Sequence, residues 1–89
     1  MGIMGVKIKI MPTSPDVNLE EIKETAKNIV KEGKGINREY LEEPIAFGLK
    51  AIIAFFEWPE ETPLEEVEDK FGKIENVSSV QIIDMRKIS

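Results

Sequence analysis

Seven carboxylates between positions 57 and 69 (Glu57, Glu60, Glu61, Glu65, Glu66, Glu68 and Asp69) are the densest set of groups in this chain that could move protons. Acid–base catalysis wants such groups gathered in a pocket that displaces their pKa values, and these follow the spacing of a loop and an exposed helix face instead. They read as solvated charge. The chain has no cysteine and no histidine, which removes disulfides, thiol nucleophiles, Ser-His-Asp triads and the common zinc sites. Gly33 and Gly35 lack the spacing of a phosphate cradle and no Lys-Ser or Lys-Thr follows them, so they read as a helix stop.

What remains is the chemistry of contact. Arg86 and Lys87 place two cations near the C-terminal end of the sequence, where an ammonium on a flexible stem suits a phosphate contact or competition with a metal ion. Basic residues near a chain end are also ordinary solvated charge, and composition alone leaves both roles open. The second feature is the segment Glu43-Pro44-Ile45-Ala46-Phe47-Gly48-Leu49-Lys50. Pro44 fixes its own backbone and holds Glu43 extended, and Gly48 frees the chain just after Phe47, so the ring sits on a loop rigid before it and permissive after it. Such an aromatic either folds back onto the core or is presented for contact, and loops on rigid scaffolds are where contact residues gather.

The elements that would carry these groups follow from periodicity. Val6, Ile8 and Ile10 alternate with Lys7 and Lys9, which predicts a strand over about Val6 to Met11, ended by Pro12 and Pro15. Asn18, with Glu21 three residues on, gives a capping-box-like start to a helix whose apolar positions are Leu19, Ile22, Ala26, Ile29 and Val30. Ile36 to Glu43 is extended and mostly polar, as an edge strand would be. Leu49 to Trp58 is apolar on both faces and belongs in the middle of a sheet. Thr62, Pro63 and Glu65 suit the N-cap, first-turn and N3 positions of a second helix with Leu64, Val67 and Phe71 inward. Val77 to Ile88 is a last strand whose alternation breaks near Ile83 and Asp84, as a bulge would require. The order strand, helix, strand, strand, helix, strand closes with right-handed crossovers into a ferredoxin-like α+β sandwich, a four-stranded antiparallel sheet with two helices on one face. That fold hosts many unrelated functions.

Composition narrows the partners. Eighty-nine residues, 42% hydrophobic and 33% charged, make one domain over residues 1–89 with no apolar run long enough to span a membrane. The first seven residues do not read as a secretory signal, so a cytoplasmic protein is expected. Seventeen acidic residues outnumber twelve basic ones, for a net charge of −5. That sign argues against direct binding to a nucleic-acid backbone and suits a basic protein partner, although net acidity also serves solubility. An RNA-binding module on this fold would want exposed rings within a basic sheet face, and the first strand offers Lys7 and Lys9 without a ring. An acylphosphatase-like enzyme would want an Arg in the loop after the first strand, but Pro12 to Val17 has no basic residue. A small-ligand regulatory module remains open, and its expected mark is dimerisation through strand edges.

Taken together, Pro44-Ile45-Ala46-Phe47-Gly48-Leu49-Lys50, Met11-Pro12, Pro15-Asp16-Val17-Asn18-Leu19 and the ending Val80-Gln81-Ile82 to Arg86-Lys87-Ile88 resemble the archaeal elongation factor 1-beta family of guanine-nucleotide exchange factors. The resemblance runs in the same order over nearly the whole chain. It implies exchange on the tRNA-delivering GTPase, elongation factor 1-alpha, by protein contact and without bond chemistry. It also implies that Phe47 wedges into the GTPase, with Ala46, Gly48 and Lys50 beside it, and that Lys87, next to Arg86, reaches a magnesium site there. Magnesium and GDP or GTP would be bound by the partner. No cofactor or metal of its own is expected, and the free form is expected to be a monomer. Ala46 stands where the eukaryotic motif commonly has Gly, Ser89 extends the Lys-Ile end by one residue, and the long N-terminal region of the eukaryotic proteins is not seen, which suggests a free-standing domain.

Overall fold

In the computed structural model of this chain, which describes residues 2–89, the apolar–charged alternation becomes strand β1 (Ile3–Pro12), with Val6, Ile8 and Ile10 fully buried on one face. β1 starts before the expected Val6 because Ile3 and Met4 pair with Pro59 and Trp58, partners that local sequence does not reveal. Helix α1 (Leu19–Glu32) follows, and the Asn18 side chain accepts a 3.0 Å hydrogen bond from the Glu20 N–H. Its buried residues Ile22, Ala26 and Val30 lie at helical spacing and face the sheet.

The helix stops at Gly33, but neither glycine supplies the left-handed residue: Lys34 does, at φ 68°. Gly33 and Gly35 matter for close approach instead. A Cβ on Gly35 would stand 2.7 Å from the Glu57 carbonyl oxygen and 2.9 Å from the Trp58 ring, and one on Gly33 would overlap that indole. The pair thus makes the seat of Trp58, a role beyond the helix stop expected from sequence.

Strands β2 (Ile36–Pro44) and β3 (Lys50–Pro59) form an antiparallel hairpin in which Pro44 lies opposite Lys50. β2 is the expected polar edge, and Arg38 is an extra residue in it that the partner strand does not match. Helix α2 (Leu64–Gly72) begins one residue later than expected. Pro63 is its N-cap and Thr62 does not cap it: Pro63 has an extended ψ of 130°, and the Thr62 carbonyl accepts from the Trp58 indole N–H at 3.1 Å. The last strand, β4 (Val77–Lys87), carries the expected extra residue at Ile83, between the partners of Lys7 and Ile8, and a second one at Ser78.

The strands lie in the order β2-β3-β1-β4, every pair antiparallel, and both helices contribute to one core on one face. This is the ferredoxin-like α+β sandwich. Phe56 anchors the core, edge-on to Trp58 at 6.0 Å and to Phe71 of α2 at 5.9 Å between ring centroids. Phe71→Ala should lower unfolding stability by about 3–5 kcal/mol, read as a drop in the urea midpoint at unchanged slope.

Candidate functional site

The β2–β3 connection is tighter than the proline and glycine alone suggest. Pro44 ends the paired strand, the Ile45 N–H donates to the Leu49 carbonyl at 2.8 Å, and the Leu49 N–H donates back to Ala46 at 3.2 Å. Phe47 (φ 61°) and Gly48 (φ 77°) fill the two central positions, both left-handed. That is the type I′ pattern, whose twist matches the flanking strands and which ordinarily takes Asn or Asp followed by Gly. The segment is therefore a regular hairpin turn with one irregular residue, and Gly48 shares the left-handed bend with Phe47 rather than releasing the chain after it. A left-handed Phe costs about 1–2 kcal/mol relative to its preferred backbone. Its ring recovers nothing from burial, being 94% exposed. Strain and exposure coincide at the tip of a rigid hairpin, a pattern associated with contact sites.

Two features brace this tip. Lys50, next to the turn, lies 4.0 Å from Glu42, which accepts from the Lys23 ammonium at 2.7 Å, and Lys23 also reaches Glu20 at 3.0 Å. The result is an alternating chain of charge from the first turn of α1 to the hairpin. The hydrogen bond to Glu42 holds Lys23 above its ordinary value, and the same bond holds Glu42 below its own. Beside the chain, a cleft of about 340 Å³ runs between the β1–α1 loop and the hairpin, lined by residues that include Pro12, Pro15, Gly48 and Lys50. Pro15 stands 4.0 Å from where a Gly48 Cβ would be, so this loop is a neighbour of the tip.

Arg86 and Lys87 sit elsewhere and do not act as one basic patch. Consecutive strand residues point to opposite faces. Arg86, opposite Gly5, turns to the open face and meets Asp84 at 3.2 Å. Lys87, opposite Met4, lies 3.4 Å from Glu60 on the β3–α2 turn. Met4 is also opposite Trp58, so the eight steps of β3 from Lys50 to Trp58, at about 3.3 Å each, separate the Phe47 end from the Lys87 end by roughly 26 Å. The structure brings Ala46, Phe47, Gly48 and Lys50 together and leaves Arg86 and Lys87 at the far end.

The open sheet face holds a ring that the sequence reading passed over, Phe55, with the Lys7 ammonium 5.6 Å from its centroid. Its other cations are matched: Lys9 with Glu43, Arg38 with Glu57, and Arg86 with Asp84. So paired a surface offers little excess charge to a phosphate backbone, and the RNA-binding alternative gains no support from it. The bulges at Arg38, Ser78 and Ile83 interrupt both edge strands, which works against the edge pairing a regulatory dimer would use. Tyr40 is structural. Burial pushes its phenol up, and it donates to Asn37 at 2.6 Å.

Comparison with known proteins bears on what this geometry serves. The model of the EF-1 guanine nucleotide exchange domain matches residues 5–88. The chain belongs to that family. Similar relatives named elongation factor 1-beta include those of Methanosarcina barkeri, 43% identical over 99% of this chain and 100% of the relative, and Archaeoglobus fulgidus, 45% identical over 96% and 97%. Two solved structures share the fold of this exchange domain. The C-terminal domain of the MgtC protein from Mycobacterium tuberculosis has a TM-score of 0.73 at 11% identity, covering 98% of this chain and 89% of that one. The ACT domain of GTP pyrophosphokinase from Chlorobium tepidum has 0.63 at 15% identity, covering 89% and 96%. At such identities they speak for architecture alone. Among the described residues of the exchange domain, no helix is long and apolar enough to cross a membrane.

Sequence reasoning did not bring four residues together with the candidates: Pro15, Lys23 and Glu42 near the hairpin tip, and Glu60 beside Lys87. The signal for Glu60 was present in Pro59 and Pro63, which fix the turn that holds it, but its pairing with Lys87 depends on strand order.

Phe47→Gly should raise unfolding stability by about 1 kcal/mol by relieving the left-handed side chain, measured by urea denaturation. The lowered Glu42 carboxyl contributes stability that is present above its ordinary value of 4.5 and lost as pH falls through the lowered one. Glu42→Gln should accordingly flatten the loss of stability that sets in as pH falls below the ordinary value of 4.5, read in an acid titration of the unfolding midpoint.

Proposed function

We propose that this exchange domain acts on elongation factor 1-alpha as one domain over residues 1–89, by protein contact without bond chemistry. Phe47 and Lys87 are its two principal contacts, with Ala46, Gly48 and Lys50 beside the first and Arg86 beside the second. It works as a free monomer in the cytoplasm, with no cofactor of its own. GDP, GTP and magnesium are bound by the partner. The observation that carries this reading is Phe47: a strained, almost fully exposed ring on a braced hairpin in a member of an exchange family.

An exchange factor binds the nucleotide-free GTPase better than the loaded one, and reciprocity then makes it weaken nucleotide binding by the same factor. A ring that is exposed in the free protein and buried in the partner supplies such a difference. Burying it is worth about 1.5–3 kcal/mol, or roughly ten- to hundredfold in nucleotide release if that gain arises only in the nucleotide-free complex. An ammonium delivered near the partner's magnesium would repel that ion, and losing the ion loosens the phosphates it bridges. The roughly 26 Å along β3 between the two ends means that Phe47 and Lys87 touch separate regions of the partner.

The test is release of labelled GDP from elongation factor 1-alpha with Phe47→Ala, Lys87→Ala and the double variant. Each single change should slow stimulated release while leaving the urea midpoint near or above that of the parent. Contacts so far apart should be independent, so the double variant should show the product of the two single effects. Normal stimulation by both single variants would remove the mechanism.

A further inference from the structure

Glu60 is framed by prolines at 59 and 63 and fixed in place by backbone bonds. Its N–H donates to the Gly2 carbonyl at 2.9 Å, and the Thr62 N–H donates to Pro59 at 3.2 Å. From beneath, the Trp58 indole holds the Thr62 carbonyl at 3.1 Å. Lys87 is equally well seated. It pairs with Met4, and beyond it the Ile88 N–H donates to the Ile3 carbonyl at 2.8 Å while the Ile3 N–H donates to the Ser89 carbonyl at 3.1 Å. Two anchored backbones thus hold opposite charges face to face, with Lys87 Nζ 3.4 Å from Glu60 Oε2. Among the described residues this is the one ion pair between the β3–α2 turn and β4. The side chains are 67% and 42% exposed, so the pair is open to solvent and can part without any movement of the backbone.

We infer that Glu60 is a positioning residue for exchange: it is the internal counter-ion that holds the Lys87 ammonium in reserve and must release it before Lys87 can reach the partner. The inference rests on the reading of Lys87 as a contact residue. An ammonium engaged with its own carboxylate is not free for another anionic or metal-occupied site. Only the fraction of molecules with the pair open is competent, and the apparent affinity falls by that fraction. A solvent-exposed pair is weak, which keeps the latch reversible.

Removing the carboxylate while keeping the shape, with Glu60→Gln, should lower the factor concentration for half-maximal GDP release by about two- to fivefold and leave the saturated rate unchanged. In a Lys87→Ala background the same substitution should change nothing. Glu60→Asp, which keeps the charge, should behave closer to the parent than Glu60→Gln does. In the partner-free protein, the ¹⁵N resonance of the Lys87 ammonium should move on Glu60→Gln. A half-saturating concentration that stays the same or rises in Glu60→Gln overturns the inference, as does a gain that persists without Lys87. A normal response of Lys87→Ala overturns the reading of Lys87 itself, and the inference with it. A defect in Lys87→Ala with no gain in Glu60→Gln overturns the inference alone.

Discussion

The register between β1 and β3 is the constraint on which the rest of this molecule depends. Ile8 lies opposite Ala54 and Val6 opposite Phe56, so the alternating apolar residues of both central strands fall on the face covered by α1 and α2. A slip of one residue would turn that whole set outward, and the core would have nothing to pack. The same register decides where everything else goes. It puts the β2–β3 turn at one end of the sheet, and the pairing of β4 with the same β1 puts the end of β4 at the other, with Arg86 opposite Gly5 on the open face and Lys87 opposite Met4 on the helix face. A core of buried rings and aliphatics thus fixes the position of polar groups with which it shares no contact.

The hairpin tip shows how such a frame holds a residue in a conformation it would not choose. The ladder brings Pro44 and Lys50 opposite each other, and the hydrogen bonds of Ile45 and Leu49 close the turn, so the backbone at position 47 is set by its surroundings. Left-handed backbone at a bulky residue persists only where the structure around it over-determines it. The charge chain Glu20–Lys23–Glu42–Lys50 and the nearby Pro15 brace that structure further. Stability is given up at one residue and supplied by its neighbours.

At the opposite end, the chemistry is electrostatic and needs less rigidity in the side chains. Lys87 stands on a firmly paired strand yet keeps most of its surface in water. Exposed charges of this kind contribute little to folding. The two ends thus differ in kind, an exposed ring at one and exposed charge at the other, at a separation set by the length of β3.

Much of this was legible in the residues. Alternation in β1, helical spacing in α1 and α2, the polar edge of β2 and the break at Ile83 each follow from local patterning, and together they specify the fold. The turn at Phe47 and the pair at positions 86 and 87 stood out by residue type, and their order along the chain resembled an exchange family. Sequence did not place Thr62 outside the cap of α2, because Trp58 claims its carbonyl, and did not show that Gly33 and Gly35 seat that same indole. It could not say whether Phe47 is buried or presented, nor that Lys87 faces Glu60 while Arg86 faces Asp84. Periodicity is a local property, written in neighbouring residues. Exposure, strain and ion pairing depend on which distant segments the sheet brings side by side, and only the tertiary structure decides that.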